Sequence, residues 1–331
     1  MKFKEFVGID ISKLTFDVVL QSNQAFIQCS NKLEGFKKLV NWSIKQSQFT
    51  KDETLFCMEH TGIYSLPLAS YFAENGFHFI MIPGLQIKRS MGIQRGKDDK
   101  IDAKRIAQYA YQKRDSLHPS TLPAKDILYL RKLMSLRDRY VKQKAGFLKD
   151  KKEYRDFLKH SENKFIFQMI DSSIRELEKK IAKIECEMKK IVENNELIFK
   201  QYMLITSIKG VGMQTAISVI VLTNCFENFQ TWRQFASYSG TAPFPYRSGT
   251  SIKGKTKVSQ LANKKMKALL NMCARTAIQY NHEIKAYYER KIANGDNPMA
   301  ILNNVRNKLL ARIFAVVQRG TPYVNTYKFA S

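Results

Sequence analysis

Four acids in a strongly basic chain carry the first chemical signal: Asp10, Glu59, Asp99 and Asp102. Each falls at the end of a strand-like run or at the start of a helical one. Asp10 lies in FVGIDIS, opposite the apolar face of Val7, Ile9 and Ile11, because side chains alternate along a strand. Glu59 closes the short apolar run Leu55-Phe56-Cys57-Met58. Asp99 and Asp102 are three apart at the start of a helical pattern, so they share a face. Carboxylates gathered from three elements at one edge of a sheet suit Mg2+ or Mn2+, hard cations that take oxygen ligands and keep several waters for a substrate. Two such ions, roughly 3.5–4 Å apart, can clamp the attacking and leaving oxygens of a phosphodiester. Structural readings stay open for each acid alone. Asp99 and Asp102 fit as first-turn acids that favour a helix N-terminus, Asp98 could replace Asp99, and Glu59 could simply end its strand. As an ordered set in a chain of formal net charge +26, the acids favour the metal.

Two further constellations point to phosphate. Ile208-Lys209-Gly210-Val211-Gly212 precedes an apolar helical run, Ala216 to Leu222. An apolar residue, Gly-x-Gly and then a helix is the pattern of a helix-hairpin-helix turn, whose glycines let the backbone approach a phosphate and whose N–H groups bind the anion. A plain loop has the same pattern. The second stretch runs from Asn228 to His282, with nine Lys/Arg and no Asp or Glu. Within it Lys253, Lys255 and Lys257 alternate, which puts them on one side of an extended segment, as phosphate tracking needs. Lys264 and Lys265 then open a helix. Lys209, Gly210, Gly212, Arg247, Lys253, Lys255, Lys257, Lys264 and Lys265 are the expected nucleic-acid contacts. The competing reading is a solvated basic loop. Ser248 sits between Arg247 and Gly249, after Pro243 and Pro245. It has no adjacent His or Asp to activate it, so the residues alone do not make it a nucleophile.

Hydrophobic period defines the elements that hold these residues. Phe6–Ile11, Phe16–Leu20 and Ala25–Cys29 read as strands, and residues 33–44 as a helix. The run ending on Glu59 is a fourth strand, residues 64–75 a helix, Phe77–Ile82 a strand stopped by Pro83-Gly84, and residues 99–112 a helix. Three strands followed by alternating helix and strand predict a mixed sheet with helices packed on it. Residues 125–200 are charged and helical. Phe167, Ile170, Ile174, Leu177, Ile181, Ile184, Met188 and Ile191 recur there at steps of three and four. That heptad predicts a coiled coil or a long helical hairpin, and a long helix packed on its own domain stays equally open. The expected domains are 1–122, a helical spacer over 123–200, and a mostly helical 201–331.

Composition narrows the partners. Residues 1–120 hold 17 Lys/Arg and 12 Asp/Glu, while residues 121–331 hold 38 and 17. The positive excess therefore lies in the C-terminal two-thirds, an electrostatic footprint for nucleic acid. No apolar run approaches the roughly 18–20 residues that span a bilayer, so no membrane partner is expected. The N-terminal MKFKEFVGID does not read as a signal peptide. The five cysteines are widely spaced, with no CxxC, which predicts neither a zinc site nor a disulfide framework and suits a reducing cytoplasm.

With these motifs in place, the chain resembles the DEDD transposases of the insertion-sequence family numbered one hundred and ten, also described as bridge-RNA-guided recombinases. The resemblance is carried by GIDISK, MEHTGIY and KDDKIDAKRIA in the N-terminal part. In the C-terminal part it is carried by IKGVG, FASYSGTAPFPYRSG and the ANKKMKALL run. It implies a RuvC-like ribonuclease H fold at the N-terminus, a coiled-coil middle and a C-terminal transposase domain. It implies magnesium held by Asp10, Glu59, Asp99 and Asp102, and a serine nucleophile matching Ser248 that forms a covalent link to DNA. It also implies donor and target DNA, a structured guide RNA and a dimer or tetramer in which the two sites meet across protomers.

Three functions compete. The first is an RNA-guided DNA recombinase. The second is a metal-dependent junction nuclease with water as the nucleophile. The third is a binding module or actin-like ATPase, which lacks a glycine-rich phosphate loop after the first strand, since GIDISK offers Ile and Ser where close phosphate approach wants Gly.

Overall fold

The computed structural model describes residues 3–60, 62–90, 99–248 and 252–324. The chain divides into two compact units, Met1–Leu122 and Pro123–Ser331.

The first unit is built on a five-stranded sheet. Its strands are β1 (Glu5–Ile11), β2 (Thr15–Leu20), β3 (Phe26–Ser30), β4 (Thr54–Glu59) and β5 (His78–Ile82), in the spatial order β3-β2-β1-β4-β5. The first three are antiparallel neighbours, whereas β4 lies parallel to both β1 and β5. A two-residue turn at Lys13-Leu14 sets the β1–β2 register: the Ser12 amide donates to the Thr15 carbonyl at 2.9 Å, and Asp10 then falls opposite Asp17.

Both faces of the sheet are covered. Val7, Ile9 and Ile11 pack with Phe16, Val18, Leu20, Phe56 and Met58 beneath α1 (Leu33–Ser47) and α2 (Leu66–Glu74). On the other face Phe6, Leu55, Cys57, Ile80 and Ile82 meet Ile87 of α3 (Gly84–Ser90) and Ile106, Tyr109 and Ala110 of α4 (Asp99–Gln112). The face that carries Asp10 is therefore largely a second core. α4 reaches it because Gly8 has no side chain: a Cβ there would lie 2.1 Å from the Ala103 carbonyl oxygen and 2.5 Å from the Ala107 amide nitrogen. Gly8→Ala is expected to cost about 1–3 kcal/mol by overpacking, read as a lower midpoint in urea unfolding.

The second unit opens with two long helices, α5 (Lys125–Phe157) and α6 (Lys164–Asn194), joined by a six-residue connection. They pair as an antiparallel hairpin, and a ladder of ion pairs records the register. Arg137 meets Glu185 at 2.7 Å, Lys144 meets Glu178 at 2.7 Å, and Lys151 meets Asp171. Each rung is seven residues from the last, rising along α5 and falling along α6, as an antiparallel heptad requires. The apolar stripe of α6 is buried at Phe167, Ile170, Ile174, Leu177, Ile184 and Met188 and half-buried at Ile181 and Ile191. The Asp171 carboxyl is held below its ordinary value, first by the hydrogen bond from Lys151.

The near end of this hairpin shares one core with the helices C-terminal to it. Leu130 of α5 and Met188 of α6 lie in the same cluster as Ile217, Leu270 and Leu309. Those residues come from α8 (Met213–Thr223), α10 (Lys264–Tyr280) and α12 (Pro298–Arg319). The unit is completed by α7 (Glu196–Thr206), α9 (Trp232–Tyr238), the ribbon β6 (Pro243–Ser248) and β7 (Ile252–Val258), and α11 (His282–Ala293). Asn195, Thr231, Asn263, Asn281 and Asn297 each cap a following helix by accepting a backbone N–H, the role short polar side chains fill best.

Candidate active site and nucleic-acid interface

Asp10 and Glu59 come together at the sheet. β1 and β4 run parallel with Ile9 beside Met58, so the next residues, Asp10 and Glu59, follow side by side at the carboxyl ends of both strands. Paired residues of neighbouring strands share a face, and both acids are half-buried. The Glu59 carboxylate rests over the first residue of α3: a Cβ on Gly84 would lie 2.0 Å from Glu59 Oε1. The missing side chain leaves a cradle for that carboxylate.

α4 brings the other two acids toward this edge. From its first turn the Lys100 side chain reaches β3, with Nζ 5.0 Å from the Phe26 ring centroid. Its second turn sits on Gly8 of β1 through Ala103. Asp102 is half-buried, and its Oδ1 accepts from Arg105 at 2.7 Å. Asp99 is the first residue of α4, but its side chain, like Asp98 as a whole, lies outside the described residues. Among the described residues no three His, Cys, Asp or Glu are grouped closely enough to hold a metal ion.

The register also exposes an acid that sequence reasoning passed over. Asp17 of β2 stands opposite Asp10, and Gln28 of β3 stands opposite Asp17. Gln28, Asp17, Asp10 and Glu59 thus form one transverse row across four strands. A signal was present in the sequence, because an acid interrupts the apolar strand TFDVVL seven residues after Asp10. It became readable only once the turn at Lys13-Leu14 placed the two opposite one another.

In the second unit Ser248 is the last residue of β6, and its backbone pairs with Ile252 of β7. The side chains of Arg247, Ser248, Lys253 and Lys255 lie outside the described residues. The ribbon does not keep the regular alternation expected for its lysines. Tyr246 pairs with Gly254 but Phe244 pairs with Lys257, so β7 carries one extra residue there. Such a bulge reverses strand phase, and Lys257 falls out of step with Lys253. Lys257 and Lys264 are exposed, while Lys265 is engaged by Asp138 at 2.7 Å.

The Gly-x-Gly segment joins α7 to α8. Gly210 is required twice over: its φ is +102°, and a Cβ would lie 2.9 Å from that of Ala277 on α10. Gly212 has neither constraint. It is exposed, it is the N-cap of α8, and its carbonyl accepts from Thr215 and Ala216. Thr215 of α8 meets Cys273 of α10 across 3.0 Å nearby, and burial is the main cause that raises the Cys273 thiol pKa. Lys209, next to Gly210, is exposed. Among the described residues no helix is long and apolar enough to cross a membrane.

A mixed sheet flanked by helices, with acids at one edge, is consistent with a ribonuclease H-like DEDD domain, here followed by a basic, helix-rich second unit. A family model described as a transposase matches residues 7–160, and a second, described as "Transposase IS116/IS110/IS902 family", matches residues 202–289. Two relatives named pilin gene-inverting protein, from Moraxella bovis and Moraxella lacunata, are each 24% identical over 97% of this chain and 98% of their own length. The IS110 insertion-element protein of Streptomyces coelicolor is 30% identical over 36% of this chain and 29% of its own. The chain belongs to the IS110 family of transposases. It is a DNA recombinase, an enzyme that cuts and rejoins DNA.

The substrate fits the charge. DNA affinity is expected to fall about 10³-fold or more between about 50 and 200 mM salt, the loss that accompanies six or more phosphate contacts. Fluorescence anisotropy on a labelled duplex across a salt series measures the slope.

Proposed function

We propose that the protein moves or inverts a DNA segment by forming a transient phosphoserine bond at Ser248, with a divalent ion held by Asp10, Glu59, Asp99 and Asp102. The row that sets Asp10 beside Glu59 under the helix bearing Asp99 and Asp102 is the observation that carries this reading. The donors fit Mg2+ or Mn2+ in kind, being all carboxylate oxygens, and the Gly84 cradle leaves the Glu59 carboxylate room. When bound, such an ion would polarise a phosphoryl oxygen and stabilise the charge that develops during phosphodiester exchange. Ser248 Oγ forms an ester bond to phosphorus as the bond from phosphorus to one deoxyribose oxygen breaks. The serine proton passes to a basic group or solvent, and the departing oxygen takes one up. Attack by a second strand's hydroxyl on the phosphoserine reverses these steps and frees Ser248. The number of phosphoester bonds is unchanged, so no nucleotide cofactor is consumed.

Around this chemistry we assign residues 1–122 to a RuvC-like metal-binding nuclease domain. Residues 123–200 form a helical spacer of coiled-coil type, and residues 201–331 a transposase domain with a helix-hairpin-helix at 208–212. Lys209, Gly210, Gly212, Arg247, Lys253, Lys255, Lys257, Lys264 and Lys265 serve DNA or RNA phosphates. The partners are donor and target DNA, a structured guide RNA held mainly by its backbone, and further copies of the chain, in the cytoplasm. The likeness to the pilin gene-inverting proteins over nearly the full length supports inversion as one outcome of the reaction.

Trapping decides the mechanism. A nicked suicide substrate incubated with protein and Mg2+, then denatured, should yield a covalent protein–DNA adduct that maps to Ser248. Cleavage without any adduct would replace this reading with a junction nuclease that uses water.

A further inference from the structure

We infer that the outer face of α5 is a DNA-docking surface, on which Lys132, Arg139, Lys142 and Lys149 meet the phosphates of a duplex. The inference goes beyond the serine and metal reading and stands apart from it, since it concerns binding alone.

The geometry of the hairpin selects these four. Arg137, Lys144 and Lys151 face α6 through their ion pairs, and Leu130 is buried in the core. Lys132, Arg139, Lys142 and Lys149 each lie two residues from one of these, about 200° around a helix of 3.6 residues per turn. They therefore share the side of α5 turned away from α6, and all four are exposed. The stripe they form is about 26 Å long at 1.5 Å per residue.

Charge separates this face from an ordinary solvated one. α5 holds eleven Lys/Arg and five Asp/Glu, whereas α6 holds seven and six. Opposite charges three or four residues apart stabilise an exposed helix face. α6 has such pairs in Glu176–Lys180, Glu187–Lys190 and Lys189–Glu193. Among the described residues, the four cations of the α5 stripe enter no ion pair. Asp138 is the only acid from Ile127 to Lys149, and Lys265 of α10 takes it at 2.7 Å. Asp138 lies one turn from Lys142, so that ion pair sets the start of α10, with its exposed Lys264, beside the stripe.

Gly146 points the same way without any charge. It lies in the stripe, four residues after Lys142 and three before Lys149, and is exposed. A Cβ there would meet nothing within 4 Å. Glycine weakens an exposed helix interior, and no neighbour among the described residues asks for it. Its absent side chain lets a phosphate backbone approach the helix closely. Duplex DNA is the occupant that fits. It carries about one negative charge per 1.7 Å of its axis. Its major groove, about 12 Å wide, admits an α-helix, whereas that of an RNA duplex is too narrow for side chains to enter.

The test is fluorescence anisotropy of a labelled DNA duplex over a salt series, with the full-length protein. Lys132→Gln, Arg139→Gln, Lys142→Gln and Lys149→Gln are combined in one variant. Its log–log salt slope should be shallower by about 3–4, at about 0.9 per phosphate contact, and its affinity at about 0.1 M salt should fall about tenfold or more. A control variant on α6, with Arg175→Gln, Lys179→Gln, Lys183→Gln and Lys190→Gln, removes the same charge and should keep a slope near the parent's. Gly146→Gln should raise the melting temperature, because glutamine is the better helix former, and yet weaken DNA binding severalfold. A parental slope in the α5 variant would overturn the inference. An equal loss of slope in the α6 variant would do so too, by showing that net charge alone matters. A loss seen only with an RNA duplex of the same sequence would overturn DNA as the occupant. If the α5 variant does not fold, parental DNA affinity in Gly146→Gln overturns the inference.

Discussion

Ser248→Ala is expected to lose strand exchange by about 10³-fold or more while still binding DNA. An attacking group that forms the covalent intermediate has no substitute, and losses of that order follow when nucleophiles are removed from enzymes that work through such an intermediate. The change should be silent in folding. Ser248 ends a two-stranded ribbon, and the strand pairing there is made by backbone. Unfolding midpoints should therefore match the parent closely, because that pairing does not use the side chain. Gel assays of recombination, with binding measured in parallel on the same preparation, separate chemistry from recognition. Recombination at the parental rate by the alanine protein would eliminate the serine mechanism. Loss of both binding and exchange would place Ser248 in substrate recognition instead.

Asp10→Asn should be equally severe for a different reason. The amide keeps the size of the side chain but gives up the charge that draws a hard cation. A divalent ion supplies several kcal/mol of transition-state stabilisation. At about 1.4 kcal/mol per factor of ten, its loss amounts to roughly 10³-fold in rate. Recombination assayed over a Mg2+ series tests this. Parental activity at ordinary Mg2+ would show that Asp10 is a structural acid.

The two variants would separate the half-reactions. If the ion serves the serine's attack, Asp10→Asn and Ser248→Ala should each suppress the covalent adduct. If it serves only rejoining, Asp10→Asn should accumulate it.

Much of the first unit was readable from local pattern. The alternation of Val7, Ile9 and Ile11, the acid ending the run at Glu59, and the stop at Pro83-Gly84 each report a property of a few consecutive residues. The strands follow them closely. The helical period of residues 164–194 was equally plain. Its partner was not, because a heptad states that a face is apolar and leaves open what covers it. The ion pairs spaced by sevens between α5 and α6 show that one chain supplies both sides of that seam.

Local pattern thus carried the set of elements, the faces they would bury, and the membership of four acids and a serine in one family's motifs. Which groups meet was settled only in three dimensions, because pairing across strands is not written in the period of any single strand. Folding set Asp17 opposite Asp10 through a two-residue turn, let α4 settle onto Gly8, cleared the Glu59 carboxylate at Gly84, and put Lys257 out of phase with Lys253 through one extra residue. Each of these depends on residues distant in sequence meeting within a few ångströms, where a single missing side chain or an added residue changes which groups can meet.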